Sequence, residues 1–114
     1  MIYSLLLIAS LNSDFELAGK TSSGLILCER LNTKVSSEKL QEYNNTDGKL
    51  NSYIELELEK DSDLSHSFFK AQVDYIDSFS NTDKSKPLDQ QLLSVEQCQI
   101  HLDNANKLID KFKN

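Results

Sequence analysis

Residues 1–11, MIYSLLLIASL, carry no charged side chain, and six of the eleven are Leu or Ile. Read with a two-residue period, Tyr3, Leu5, Leu7, Ala9 and Leu11 share one face. Ile2, Leu6 and Ile8 share the other, interrupted by Ser4 and Ser10. Two apolar faces predict a central strand over 2–11, covered on both sides. The next stretch, NSDFELAGKTSSG, reads as a polar, flexible connection with an optional short strand at 15–18. LILCERL fits either period. As a helix it would bury Leu27 with Leu31 and Leu25 with Cys28. Its shortness and the preceding Gly24 favour a strand over 25–31.

SSEKLQEYNN combines a Ser cap, an early Glu and helix-forming residues, which predicts a short helix at Ser37–Tyr43. Asp47-Gly48 then reads as a tight turn. YIELELEKD alternates cleanly and predicts a strand over 53–60. It points Ile54, Leu56 and Leu58 to the core and Glu55, Glu57 and Glu59 to water. The second half carries a helical period. Leu64, Phe68, Ala71 and Tyr75 form a stripe, widened by Phe69, Val73 and Ile76, within a helix over 63–79. Its polar strip is His66, Lys70, Asp74 and Asp77. Pro87 suits a first helical position and opens a helix over 87–113. The apolar stripe there is Leu88, Leu92, Val95, Leu102 and Ile109, flanked by Cys98, Ala105 and Phe112. Such a helix would be about 40 Å long at about 1.5 Å per residue, longer than a compact domain of this size needs.

These elements predict one α+β domain over 1–114. A small, mostly antiparallel sheet of three or four strands (2–11, 25–31, 53–60, with 15–18 optional) packs under two C-terminal helices. The length of 114 residues suits one domain and allows a modest core. Leu93 and Ile100 lie off the main stripe of the last helix on a line of their own, a candidate homodimer seam.

Charge changes the picture through its placement. The net charge is −6. From Tyr53 to Asp83 eight acids face two bases, and the rest of the chain balances to zero. Such a field repels nucleic acid and anionic membranes and attracts basic proteins. Arg30, the single arginine, argues further against phosphate recognition by bidentate forks. The candidate partner-binding residues are therefore Glu55, Glu57, Glu59, Asp61, Asp63, Asp74 and Asp77. On a strand, Glu55, Glu57 and Glu59 would stand in a row about 7 Å apart, near the spacing of phosphates on a nucleic-acid strand.

The chemical motifs are incomplete. Gly19-Lys20-Thr21 lacks the earlier glycine of a phosphate loop, since position 14 is Asp. Asp63 and His66 are spaced to share a metal ion, but no third ligand follows at a recognisable interval. No Gly-x-Ser-x-Gly elbow occurs, and no basic cluster flanks either cysteine. No cofactor or metal is expected, and the chain reads as a non-enzyme. Cys28 and Cys98 are expected as buried free thiols in the cytoplasm. The opening run has no basic residue before it, and cleavage after Ser10 would put Ile8 at −3, so an export signal fits poorly. Were it one, a Cys28–Cys98 bridge would become plausible.

The functional expectation is a small acidic cytoplasmic interaction protein. An inhibitor or immunity-type protein that neutralises a basic partner, such as a nuclease toxin, fits it best. The alternative is a homodimeric adaptor joined through the last helix.

Overall fold

A computed structural model describes the backbone of residues 2–81, 84–87 and 92–113, with side chains from residue 12 onward. Among the described residues, four α-helices make up the fold: α1 (Ile2–Leu31), α2 (Ser37–Lys60), α3 (Leu64–Asp77) and α4 (Val95–Lys113). A 3-10 turn at Ser78–Asn81 extends α3. Among the described residues there is no strand, which overturns the α+β expectation and each of its strands. The opening run, 15–18, 25–31 and 53–60 all lie in helices. The expected burial of residues 1–11 falls on side chains outside those described.

The stretch expected to be a flexible connection is the middle of α1. Several of its residues (Asn12, Ser13, Asp14, Thr21, Ser22, Ser23 and two glycines) are poor helix formers one by one, but the small ones pack well, and Ala18, Thr21, Ser22 and Ser23 are all buried. Small side chains let α1 pack against α2, α3 and α4. At Gly19 a Cβ would run into the carbonyl of Phe68 and lie 3.0 Å from the Ala71 Cβ. At Gly24 it would run into the His101 ring. A helix enclosed by neighbours shows no single apolar stripe, which is why the helical period was hard to see here.

The strand expected at 53–60 fails for a related reason. Glu, Leu and Lys favour helix, and Ile54 is the only β-branched residue in that run. In α2 the buried positions are Tyr43, Asp47, Leu50 and Ile54, the spacing of one helical face. Leu58 joins this face, whereas Leu56 is 53% exposed. Asp47-Gly48 sits inside the helix with no positive φ. The helix expected at Ser37–Tyr43 is therefore the first third of a longer one. Its cap is Ser36, whose Oγ accepts from the Lys39 N–H at 3.2 Å.

The final helix is shorter than expected. Pro87 lies outside it, and Leu88 falls outside the described residues. α4 starts at Val95, where the Ser94 carbonyl accepts from Cys98 N at 2.8 Å and Ser94 Oγ accepts from Gln97 N at 3.2 Å. Its buried face is Cys98, His101, Leu102, Ala105, Leu108 and Ile109. α1 and α4 run antiparallel. Cys28 meets Cys98 near one end, and Phe15 meets Phe112 at 5.5 Å near the other. Lys111 Nζ also lies 2.9 Å from a carboxylate oxygen of Asp14.

The cysteines are joined, not free. Cys28 and Cys98 form a disulfide with a Cα–Cα separation of 6.1 Å, and both are fully buried. The antiparallel pairing of α1 with α4 brings together residues 70 positions apart in the chain. Beside the bridge, Asn32 Nδ2 donates to the Leu93 carbonyl at 2.6 Å. That bond ties the segment before α4 to the end of α1.

Candidate functional site

Two surface regions lie around α3. The first is a groove of about 860 Å³ between α1 and α3. Ser13, Glu16, Leu17 and Lys20 form its α1 wall, and Lys70, Ala71, Asp74 and Tyr75 are on its α3 wall. Each set recurs at helical spacing, so the groove follows from two helices touching at Gly19. Its charges are mixed. Lys70 Nζ donates to Asp74 Oδ2 at 2.8 Å, and this bond, more than the general field of Asp74 and Glu16, holds the ammonium above its usual pKa.

Behind the groove, Tyr75 Oη and His101 Nε2 are hydrogen-bonded at 2.9 Å. Burial pushes the Tyr75 phenol up to about 12. Burial, helped by the charge of Lys20, pushes the His101 imidazole down to about 4. Both groups are therefore neutral across the physiological range, and the pair links α3 to α4 without carrying charge. A second buried polar cluster joins α1 to α2. Ser22 Oγ donates to Asp47 Oδ1 at 2.6 Å, and Asn51 Nδ2 donates to the same oxygen at 3.0 Å. Burial raises the Asp47 carboxyl pKa, and these two bonds oppose the rise.

The second region holds the carboxylates singled out from the sequence, in an arrangement different from the expected row. Glu55 and Glu59 lie one turn apart on an exposed side of α2. Glu57 points elsewhere, half-buried, 3.5 Å from Lys60 Nζ. Asp61 caps the end of α2 and its Oδ1 accepts from Asp63 N at 3.0 Å. Asp63 precedes α3, Asp74 is paired with Lys70, and Asp77 ends α3. A rise of about 1.5 Å per residue puts Asp63 and Asp77 about 21 Å apart along the axis. The acids thus form one group where α2 turns into α3 and another at the far end of α3. The spacing argument from strand geometry does not apply.

The proposed dimer seam is likewise not assembled. Leu93 lies before α4, fully buried in this chain, while Ile100 is 49% exposed on α4. His66 and Asp63 lie near the start of α3, and among the described residues no group of three His, Cys, Asp or Glu could hold a metal ion. Also among the described residues, no helix is long and apolar enough to cross a membrane.

Sequence reasoning missed the Tyr75–His101 pair and the groove. A signal for both was present in the chain. Gly19 and Gly24, with the small Thr21, Ser22 and Ser23 between them, mark the two close approaches that create them.

Among the described residues, the fold is a disulfide-bonded bundle of four α-helices with a groove and exposed carboxylates beside α3. No family model, curated protein or solved structure matches the chain. The inhibitor and immunity-type designations accordingly draw no support from any relative.

Proposed function

We propose that this chain is an interaction protein that binds a basic protein partner through the acidic turn between α2 and α3 and the outer side of α3. The observation that carries this reading is that Glu55, Glu59, Asp63 and Asp77 are exposed and make no ion pair among the described residues. Exposed unpaired charges of one sign steer an oppositely charged partner and set its orientation. The groove supports a binding role as well, but its mixed charge selects no ligand class.

The disulfide supports a reading of the compartment as well. A buried disulfide persists where thiols are not kept reduced, so an oxidising compartment fits better than the cytoplasm expected from the sequence. Mass spectrometry of the chain from its host, alkylated in denaturant without reductant so that buried thiols are reached, tests this, and two alkylated cysteines would refute it.

The binding test compares the wild-type chain with a variant carrying Glu55→Gln, Glu59→Gln, Asp63→Asn and Asp77→Asn. Proteins retained from the host by the wild type alone are identified, purified and titrated by calorimetry. A basic protein whose binary affinity falls with salt and with the substitutions supports the reading. Partners retained equally by both chains, or binding indifferent to salt, refute it.

A further inference from the structure

We propose that the exposed stripe of Phe69, Val73 and Ile76 on α3 is a docking site for a cationic amphipathic helix of a partner protein, an inference that rests on the acidic-surface reading above. The three side chains are 54%, 55% and 53% exposed. They recur at positions i, i+4 and i+7, so they line up along about 10 Å of one side of the helix. Of the three, Phe69 reaches back to the core, its ring lying edge-on to that of Phe68 at 5.2 Å. Leu64, Phe68 and Tyr75 already bury its inner face. A second apolar line at helical spacing is what an amphipathic helix lays its own apolar face against.

Charge complementarity selects the occupant. Asp61 and Asp63 stand where α3 begins, and Asp77 lies one turn beyond Val73. From residue 61 to 77 there are four carboxylates and one ammonium, Lys70, which is held by Asp74. A helix with Leu-like residues on one face and Lys or Arg along its edges satisfies both features. A second copy of this chain satisfies only the apolar one, because a twofold contact would bring two such sets of carboxylates together.

The probe is an amidated Leu/Lys peptide patterned as an amphipathic helix. A peptide of identical composition in scrambled order is the control, and both are titrated by fluorescence anisotropy. The wild-type chain should bind the patterned peptide at least about tenfold more tightly than the scrambled one. The combined variant Phe69→Ser, Val73→Ser and Ile76→Ser should lose that preference while keeping its circular dichroism. Should the triple variant fail to fold, Val73→Ser alone should reduce the preference. A third variant, Asp61→Asn, Asp63→Asn and Asp77→Asn, should weaken both peptides and flatten the salt dependence. If the serine variants keep the full preference, the stripe is not the site. Loss of affinity in the asparagine variant would then still support the acidic-surface reading. If the asparagine variant binds as tightly as the wild type, the acidic-surface reading falls and this inference with it. Sedimentation showing a wild-type dimer that the serine variant abolishes would assign the stripe to a second copy and overturn the proposal.

Discussion

Replacing each of two helical glycines by alanine should have opposite effects, and the sign reports directly on how closely α1 and α3 approach. Both Gly19 and Gly48 lie inside helices, and in a helix interior alanine is favoured over glycine by about 1 kcal/mol. Beyond its own helical turn, no atom lies within 4 Å of a Cβ added at Gly48. Gly48→Ala should therefore realise that gain. For 114 residues, an unfolding entropy of about 2.1 cal/mol/K per residue makes 1 kcal/mol worth about 4 °C in Tm. At Gly19 the added methyl would overlap the carbonyl oxygen of Phe68, with the Phe68 carbonyl carbon at 3.1 Å and the Ala71 Cβ at 3.0 Å. None of these atoms can swing aside, because two belong to the α3 backbone and the third is fixed to it. The helices must separate, and overpacking of this kind costs about 1–3 kcal/mol, usually more than the propensity gain. Gly19→Ala should lower Tm by up to about 8 °C, while Gly48→Ala raises it by about 4 °C. Thermal unfolding followed by circular dichroism at one pH and one concentration measures both. An increase in Tm for Gly19→Ala would mean that α3 does not touch α1 there. It would remove the basis for the groove and for the orientation of the α3 surface.

The disulfide and His101 give two further predictions. Closing a loop between positions 70 apart should stabilise the fold by about 4 kcal/mol through the entropy of the unfolded chain. The double variant Cys28→Ala, Cys98→Ala should then unfold about 15 °C lower than the oxidised chain, and an unchanged Tm would refute the pairing. Lowering the His101 pKa from 6.5 to about 4 means the folded state binds fewer protons than the unfolded state between those values. Its contribution is thus fully present above pH 6.5, is lost as pH falls toward 4, and amounts to about 3 kcal/mol. Urea titrations across that range should show wild-type stability falling more steeply than that of His101→Gln. Parallel curves would place the imidazole in water. Asp47, whose pKa is raised, acts in the opposite direction, its contribution being lost as pH rises through its folded value.

Where charge governed the reading, the sequence was legible. The acidic segment 53–83 could be counted directly, and Glu55, Glu59, Asp61, Asp63, Asp74 and Asp77 are exposed at the end of α2 and along α3. The helical period over Leu64, Phe68 and Tyr75 was also legible, because α3 buries one face and leaves the rest exposed, so its stripe survives in the order of residues. The period of α1 was not. A helix packed on several sides distributes buried positions around its circumference, and small residues such as Ser22 and Gly24 read as a linker when considered alone. YIELELEKD misled for a different reason. Alternation is a local pattern, but burial in α2 is decided by Leu50 one turn earlier, which selects Ile54 and Leu58 and leaves Leu56 in water. The pairing of Cys28 with Cys98, and the meeting of Tyr75 with His101, needed the antiparallel arrangement of α1 and α4 and the position of α3 beside them. By itself the sequence determined where the charge lies and the helical period of α3. Only packing decided which residues face one another, because contacts between distant residues depend on the approach of whole helices and not on any local period.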